Sequence, residues 1–490
     1  MFSCALLSRT NRIAYDTHIK QLQSTESSQV APMTNDILIA GGNLFLGGEF
    51  VQGNLLIDEG KITAITSSDS ISSSRRIDAT GKLVIPGWID THTHVGEPGA
   101  RNEDFRSGTM AAAAGGVTTI FEMPSSIPPT TNVDVLEARM RLASEKAIVD
   151  YAFLGGASSS NLDEIPKLAK RGVIAFKTFM FSGHSEGFTD HDNYGLMRTM
   201  LAVKETGLPH VLHAEDDSLI QGLSTELQRK NRSDVASYCE SRPPYSEALG
   251  VIRAAYLAKK TNARIVIAHV SSAEALNAIE QARRNGVDIV AEGRPDFFIF
   301  TREDLGRIGP FLKTIPPLRE ESDVETMWSA LNEGRIEFIG SDHAPRTRAE
   351  KAIGWHDIWA TPAGTPILEV MMPLMLDKMA RVGTCSLERL VVAATERPAK
   401  YFGIFPKKGT LRVGSDADIV IVDPKLEKKI KTDEFYSKGK ESAAQYEGML
   451  IKGWPITTIL RGEVVMQDGV VDQQQRGRAK FVTPITHFAS

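Results

Sequence analysis

The sequence predicts an α/β protein built as a (β/α)8 TIM barrel, with a small β-sandwich domain formed by its N- and C-terminal segments. In the middle of the chain, short apolar strand-like runs alternate with helical patterns eight times. Alternation of this kind favours a parallel sheet, and eight units favour its closure into a barrel. Strand-rich segments with glycine-containing turns stand at both ends, and chain termini commonly lie close together.

The two ends of the chain have the same pattern of short strand-like runs. From Asp36 the chain reads DILIAGGNLFL and then EFVQGNLLIDEGKITAITS, with the short Gly-Gly and Glu-Gly turns of antiparallel strands. The pattern returns late, in GTLRVGSDADIVIVDP and ITTILRGEVVMQDGVV. We therefore predict that residues 35–84 and 406–475 form the sandwich and that residues 85–405 form the barrel. Residues 476–490 would be a C-terminal tail.

Residues 1–34 differ from the rest of the chain. The first 32 have no acidic residue before Asp16, and their second half is rich in Ser, Thr and Gln. Such a segment is typical either of a disordered extension or of an organelle-targeting peptide. Both interpretations stay open, with the cytoplasm as the default location.

Composition excludes several classes of function. A formal charge of −5 over 490 residues gives no support for nucleic-acid binding. No apolar run approaches the roughly 18 residues of a membrane span. The three cysteines, Cys4, Cys239 and Cys385, are too widely spaced for a disulfide framework and favour a reducing compartment. We therefore expect no nucleic-acid partner and no membrane partner.

The eight predicted barrel strands each end in a recognisable place. Their ends lie near His94, Met123, Ala157, Met180, Glu215, Ser271, Gly293 and His343. Active sites of this fold lie at the carboxyl ends of the strands. Potential metal ligands cluster at these ends, namely His92, His94, Lys177, His213, His269 and Asp342.

Each candidate ligand has a plain structural alternative. A single histidine at a strand end is usually a hydrogen-bonded structural residue, Lys177 could form a salt bridge, and Asp342 could cap a helix. Six such residues at comparable places favour a catalytic metal site, because imidazoles and carboxylates are the ligands of zinc and similar ions. An H-x-H pair on a strand also directs both rings to one face. Four histidines exceed what one zinc ion takes, which indicates a two-metal centre.

Lys177 needs a chemical change to serve as a ligand. An ammonium group is cationic and has no acceptor. Carbon dioxide adding to the neutral amine gives an anionic carbamate that could bridge two cations, and burial beside two metals would favour that reaction.

Longer strings identify a family resemblance. The chain from about Asp36 to Val471 resembles the cyclic amidohydrolases, the dihydroorotase, allantoinase and hydantoinase group of the amidohydrolase superfamily. The strings that carry it are PGWIDTHTHVGEPG, DFRSGTMAAAAGGVTTIFEMPSSIPPTTN, AFKTFM, HAED, SRPPYSEA, AHVSS, IPPLR and GSDHAP.

The resemblance implies two divalent metal ions per subunit bridged by carboxylated Lys177, with zinc as the default and manganese, cobalt or iron as alternatives. His92, His94 and Asp342 would hold one ion, and His213 and His269 the other. A hydroxide bridging the metals would attack a ring amide carbonyl. Asp342 would be the catalytic residue that moves the proton to the leaving nitrogen.

Departures from the family pattern concern the substrate. Gly96 stands where dihydroorotases typically have Arg, Ser125 where they have Asn, and Arg346 where they have His. Ser182 stands where hydantoinases and dihydropyrimidinases usually carry an oxyanion-donating Tyr. Small residues near position 96 are tolerated by allantoinases, which favours a neutral cyclic ureide as substrate.

Two further regions bear on specificity. The unusual string AEGRPDFF places Gly293, Arg294 and Asp296 near the barrel mouth, where Arg294 either sets specificity or pairs with Asp296 away from substrate. Arg346 could clamp a carboxylate or be a surface arginine. The loop with Pro362, Ala363 and Gly364 is expected to back the substrate with main-chain contacts. The candidate substrate-binding residues are Gly96, Ser125, Ser182, Arg294, Arg346, Ala363 and Gly364.

These observations predict a metal-dependent hydrolase that opens a cyclic amide or ureide ring, most simply one similar to allantoinases. A dihydroorotase-like enzyme and a hydantoinase- or dihydropyrimidinase-like enzyme are the alternatives. A non-enzymatic oligomeric scaffold would have lost metal ligands, and a mononuclear deaminase would not need Lys177. As in the related proteins, we expect a homo-oligomer, either a dimer or a tetramer.

Overall fold

A computed structural model of the chain describes residues 35–68, 73–99, 102–182, 187–474 and 478–485. The predicted N-terminal extension, 1–34, lies outside the described residues, as does part of the predicted C-terminal tail. Among the described residues, no helix is both long and apolar enough to cross a lipid bilayer.

The described residues form two sheets. The first takes strands from both ends of the chain: β1 (Asn35–Leu46), β2 (Glu49–Asp58), β3 (Lys61–Thr66), β4 (Ser73–Asp78), β5 (Leu83–Pro86), β14 (Ile419–Lys429), β15 (Leu450–Leu460), β16 (Glu463–Gln467) and β17 (Val470–Val471). Their order is β17-β16-β15-β14-β5-β1-β2-β3, with β4 pairing on β1. The antiparallel pairing of β14 with β5 joins the two ends, as predicted.

Tight turns connect the hairpins of this sheet. Asp58 pairs with Lys61 across a two-residue loop in which Glu59 and Gly60 both have positive φ, 46° and 76°. A two-residue hairpin of type I′ requires positive φ at both central positions, which glycine adopts without strain. Arg461-Gly462 and Asp468-Gly469 repeat this arrangement between β15, β16 and β17.

The second sheet is the predicted barrel. Its strands are all parallel and are paired in chain order. They are β6 (Trp88–Thr93), β7 (Val117–Glu122), β8 (Asp150–Gly156), β9 (Ala175–Phe179), β10 (His210–His213), β11 (Ile265–Ile267), β12 (Ile289–Gly293) and β13 (Phe338–Ile339). All eight predicted strands are present. His94 N donates to His343 O at 2.8 Å just beyond β13, which brings the first and last strands together.

Helices lie between and after these strands. They are α1 (Phe105–Ala114), α2 (Val133–Lys146), α3 (Ile165–Arg171), α4 (Asn193–Glu205), α5 (Asp217–Arg229), α6 (Val235–Ser241), α7 (Pro244–Thr261), α8 (Ala273–Arg284), α9 (Asp296–Ile299), α10 (Arg302–Ile308), α11 (Glu321–Glu333), α12 (Arg348–Ala352), α13 (Met371–Val382), α14 (Leu387–Ala394) and α15 (Glu396–Tyr401). Short polar side chains begin many of them. Ser272, for example, accepts from Ala275 N at the start of α8.

Apolar side chains fill the barrel interior. The strands contribute one buried cluster that includes Ile89, Phe121, Leu154, Ala175, Val211, Val266 and Phe338. Phe402 and Ile404, which follow α15, pack into the same cluster. A packed interior is normal for this fold, and it leaves the carboxyl ends of the strands as the place for polar chemistry.

A buried ion cluster joins the barrel to the terminal sheet. Lys408 Nζ lies 2.7 Å from Asp150 Oδ2 at the start of β8 and 3.2 Å from Asp416 Oδ2, and it also contacts Asp418. Burial lowers the pKa of Lys408, but the three carboxylates raise it above its usual value. The three aspartates could resemble a cation site, but the Lys408 ammonium group lies among them.

Candidate metal centre

The six predicted ligands all come from the carboxyl ends of barrel strands. His92 lies in β6 and His94 follows that strand, while Lys177 lies in β9 beside Val211 of β10. His213 ends β10, and His269 and Asp342 lie two and three residues beyond β11 and β13. Because parallel strands end at one face of a barrel, side chains that are as much as 250 residues apart in the chain (Asp342 and His92) become neighbours.

One half of the centre is formed by His92, His94 and Asp342. The Nε2 atoms of the two histidines are 3.3 Å apart, and Asp342 Oδ1 lies 3.0 Å from His94 Nε2 and 3.5 Å from His92 Nε2. These three donor atoms lie within 4.8 Å of one another and are buried or nearly so. This set of two imidazoles and a carboxylate fits a divalent metal ion.

The other half brings His213 and His269 together beside His92. The ring centroids of His213 and His269 are 4.5 Å apart, and those of His92 and His269 are 5.3 Å apart. His269 Nδ1 is buried and has no hydrogen-bond partner among the described residues. Burial, together with His213 and Lys177, holds the pKa of His269 well below its usual value. A neutral imidazole is the form that binds metals.

Lys177 lies among these groups. Its side chain is fully buried, and its Nζ is 5.1 Å from the centroid of the Phe179 ring. Its charge contributes to the lowered pKa of both His210 and His269, after the larger effect of burial. Lys177 is thus buried together with the histidines of the candidate centre.

Hydrogen bonds fix which ring nitrogen faces the centre. His92 Nδ1 lies 2.7 Å from Glu292 Oε1, and His94 Nδ1 lies 2.6 Å from Ser125 Oγ, so both Nε2 atoms point to Asp342. Metal-binding histidines usually have their other nitrogen held by such a group, often a carboxylate.

His213 is oriented from the opposite nitrogen. Its Nε2 lies 2.7 Å from Glu215 Oε2, which also accepts from Arg242 Nη1 at 2.6 Å. Glu292, Glu215 and Arg242 were not among the site residues predicted from the sequence. Glu215 could have been found, because it is an acidic residue two positions after the predicted ligand His213. Glu292 lies near no predicted ligand in the sequence, so only the fold brings it to His92.

Arg294 supports Asp342. The guanidinium group contacts Asp342 Oδ2 and also binds Asp296 Oδ2, at 2.8 Å from Nε. Burial alone would raise the pKa of Asp342, but Arg294, His92 and His94 hold it well below its usual range. The sequence left two alternatives for Arg294, a role in specificity or a pair with Asp296. The structure shows the pair with Asp296, and the same guanidinium group also reaches the candidate centre through Asp342.

Two of the predicted ligands have unusual backbone conformations. His269 and Asp342 have φ values of +39° and +48°. A non-glycine residue in this region costs of the order of 1–3 kcal/mol and persists only where the surroundings impose it, which is common at functional sites.

The centre opens into a cavity of about 480 Å³. Five of the predicted substrate-binding residues line it: Ser182, Arg294, Arg346, Ala363 and Gly364. Of the other two, Ser125 Oγ lies 2.6 Å from Nδ1 of the predicted ligand His94, and Gly96 N donates to Glu122 Oε1 at 2.8 Å. Gly364 N donates to Lys313 O at 3.0 Å, so this amide is used within the protein. Substrate contact by these residues stays a prediction.

A second cavity, of about 580 Å³, lies between α9, α10, α13 and residues 444–451. Its charged lining residues include the ion pairs Asp304–Arg307 and Asp377–Arg381. No histidine lines it, so the smaller cavity is the candidate site because of its chemistry.

The comparisons with known proteins agree with this geometry. The amidohydrolase family matches residues 83–465, so the chain belongs to that family, whose members use divalent metals. Within it, the chain is a hydrolase of the cyclic amidohydrolase group.

Its relatives are similar over nearly their full length. The chain is 36% identical to an L-hydantoinase of Paenarthrobacter aurescens over 93% of this chain and 99% of the relative. It is 34% identical to an allantoinase of Rubrobacter xylanophilus, with 92% and 98% covered. The solved structure of an L-hydantoinase (dihydropyrimidinase) from Arthrobacter aurescens superimposes with a TM-score of 0.88 at 35% identity, over 92% of this chain and 100% of that one.

Proposed function

We propose that this protein hydrolyses a ring amide of a small cyclic ureide of the hydantoin or allantoin type, with two divalent metal ions. The observation that carries the proposal is the convergence of His92, His94 and Asp342, beside His213 and His269, at the cavity. Relatives named hydantoinase and allantoinase match nearly the whole chain, which supports this substrate class.

The predicted ligands would form two neighbouring metal sites. His92, His94 and Asp342 would hold one ion, His213 and His269 the other, and carboxylated Lys177 would bridge the two. Bound ions of this kind supply a nucleophile from water at neutral pH and polarise the amide carbonyl. Zinc is the proposed metal, since it suits a set of imidazoles and a carboxylate.

Asp342 is the proposed proton carrier. With its pKa held low by Arg294, the group is a carboxylate at neutral pH and can accept a proton. Arg294 contacts Oδ2, while Oδ1 faces the two histidines. Asp342 lines the cavity, so this carboxylate could pass the proton to the leaving nitrogen of a ring bound there.

The test is hydrolysis of a substrate panel by metal-reconstituted protein in bicarbonate buffer. The panel holds allantoin, hydantoin, dihydrouracil, dihydroorotate and a simple lactam. We expect turnover of a five-membered ureide, and a loss of at least a thousandfold in kcat in both Asp342→Asn and Lys177→Met. Asp288→Asn, an exposed residue just before β12 at the opposite end of the barrel, is the matched control. Turnover that survives both site substitutions would contradict the proposal.

Carboxylation of Lys177 has its own readout. Protein prepared in ¹³C-bicarbonate should show a carbamate carbon resonance that is missing from Lys177→Met, whatever the activity. A spectrum without this resonance in the metal-loaded wild-type protein would remove the bridging role.

We also propose that the protein is a homo-oligomer. Large apolar side chains are exposed on α4 and α7, which pack against each other: Tyr194, Leu201, Tyr245, Leu249, Ile252 and Tyr256. Exposed large apolar side chains gathered on two packed helices favour an interface. Light scattering should show a dimer or tetramer, and Ile252→Glu should shift it to a smaller species.

A further inference from the structure

Three of the strings that carry the family resemblance meet behind His213 and His269: SRPPYSEA, AHVSS and IPPLR. The first contributes Glu247, the second Ser271 and the third Arg319. All three side chains are buried. Glu247 and Arg319 are not part of the cavity lining, so a substrate bound in the cavity would not touch them. Any effect on the centre has to pass through the residues that they hold.

The guanidinium group of Arg319 reaches two separate segments of the chain. Its Nε donates to Ser271 Oγ at 2.9 Å, and its Nη1 donates to the backbone oxygen of Arg242 at 2.5 Å. Ser271 lies two residues after His269. The side chain of Arg242 binds the carboxylate that orients His213. Because a guanidinium group holds five donors in a fixed planar geometry, Arg319 connects the segments of both predicted ligands in the second half.

Glu247, in α7, holds the same serine from another direction. It accepts from Ser271 N at 2.8 Å and from Ser271 Oγ at 2.6 Å, and it also accepts from Ser272 Oγ at 2.9 Å. Arg319 Nη2 lies 3.5 Å from Glu247 Oε2. Ser271 Oγ therefore accepts from Arg319 and donates to Glu247, so the backbone and the side chain of this serine are both fixed.

The backbone of His269 needs support of this kind. Its φ of +39° lies in the left-handed region, which a residue with a side chain keeps only where its surroundings impose it. Two sets of hydrogen bonds fix the peptides that follow it. Val270 N donates to a backbone oxygen of β12 at 2.9 Å, and Ser271 N donates to Glu247. Loss of the second set would allow the His269 backbone to relax out of the conformation that places its ring beside His213.

Different groups hold the first half of the centre. Its two histidines are bound by Glu292 and Ser125, and Asp342 is bound by Arg294. Glu292 is shared, since it also lies 3.3 Å from the amide nitrogen of His269 in the second half. The other supports of the two halves are separate groups, so a change in the network behind the second half should affect the two halves unequally.

We infer that Arg319 and Glu247 are positioning residues for the second metal site, which hold His213 and His269 in the geometry that binds the second ion. This inference rests on the two-metal centre of the proposed function. Residues with a purely structural role would change the stability of the fold without weakening one ion more than the other. The test is therefore the selectivity of the loss between the two ions.

Competition with a fluorescent chelator measures the two zinc Kd values of the full chain, and His269→Ala identifies the Kd that belongs to the second half. We expect Arg319→Met and Glu247→Gln to weaken the second Kd about tenfold, the lower end of the range for groups behind metal ligands, because both act through intermediate residues. The first Kd should stay within about twofold of the wild type. Arg319→Lys keeps the charge but not the planar geometry that reaches two segments, so it should restore only part of the loss.

Two further variants complete the test. Ser271→Ala removes the oxygen that joins Arg319 to Glu247 without removing a charged group, and it should also weaken the second Kd even if the other variants fail to fold. Arg283→Met is the matched control, because Arg283 lies in the last turn of α8 and binds Glu337 at 2.7 Å in a comparable ion pair away from the centre. It should lower the free energy of unfolding in urea and leave both zinc Kd values unchanged.

An unchanged second Kd in the folded variants, or an equal loss for both ions, would overturn the inference. Hydrolysis of the ureide panel by the same preparations separates it from the proposed function. A wild-type protein that hydrolyses none of the ureides, with selective loss of the second ion in the variants, would count against the proposed substrate class alone. Hydrolysis by the wild type with an equal loss of both ions in the variants would count against the positioning role alone. A wild-type chain that binds a single ion would overturn both.

Discussion

The contact between Glu292 and His92 gives a direct test of how the candidate centre is held. Glu292 accepts from Thr91 Oγ1 at 2.7 Å, lies 2.7 Å from His92 Nδ1 and is 3.3 Å from the His269 amide nitrogen. It is therefore in contact with one predicted ligand from each half of the centre. Replacing it with Gln keeps the size of the side chain but removes the charge and turns one of the two accepting oxygens into an NH2 donor.

The expected loss of metal affinity follows from the difference between a charged and a neutral hydrogen-bond partner. A hydrogen bond to a charged group contributes about 1.5–3 kcal/mol and a neutral one about 0.5–1.5 kcal/mol, so Glu292→Gln should cost about 1–1.5 kcal/mol. At about 1.4 kcal/mol per factor of ten, this is roughly a tenfold weaker metal Kd. Outer contacts of metal-binding histidines typically give effects of about ten- to a hundredfold, which agrees.

Competition with a fluorescent zinc chelator measures this Kd, and circular dichroism confirms that the variant is folded. Glu274→Gln, an exposed glutamate in α8, is the matched control and should bind zinc like the wild type. If folded Glu292→Gln binds zinc within about twofold of the wild type, the carboxylate does not tune His92 and the assigned geometry is wrong.

Two further predictions concern stability. A Cβ on Gly250 of α7 would lie 2.6 Å from the backbone carbonyl carbon of Ala214, next to His213, so Gly250→Ala should destabilise the protein by about 1–3 kcal/mol and weaken metal binding. Gly222→Ala, where the added methyl group would face open space on α5, should instead stabilise the protein slightly. The same change in the free energy of urea unfolding for both variants would contradict this. Burial raises the pKa of Glu369 to about 8. Between about pH 4.5 and pH 8 the folded state therefore keeps a proton on Glu369 that the unfolded state has lost. This residue makes the free energy of unfolding fall as the pH rises through that range. Glu369→Gln should match the wild type near pH 4.5 and exceed it by up to about 4 kcal/mol at pH 8, and parallel pH profiles would refute this.

Much of the fold could be predicted from the sequence because its signals are local. Continuous apolar runs such as RIVIAHV mark buried parallel strands, and Glu59-Gly60 marks a hairpin turn. Eight strand–helix alternations then leave few arrangements other than a barrel. The similar strand pattern at both ends predicted that they form one small domain, but the choice of β5 and β14 as partners and their register depend on contacts between distant segments.

The candidate ligands could also be predicted, since they lie in or just after barrel strands and parallel strands end at one face. The groups that orient them were harder to find. Glu292 reaches His92 across 200 residues, and Arg294 reaches Asp342 across 48. No periodicity or motif in the sequence specifies such pairs, because they depend on how the strands are staggered around the barrel.

The sequence by itself determined the class of this protein: the barrel, the terminal sheet and the histidines, lysine and aspartate at the strand ends. These depend on residue type and spacing, which act over a few residues. Only the tertiary structure decided which nitrogen of each histidine faces the centre and which carboxylates hold it. It also decided which distant residues, Lys313 and Arg346 among them, line the cavity with the candidate ligands. Hydrogen bonds and charge pairs act over a few ångströms in space, so their partners are chosen by packing and not by order along the chain.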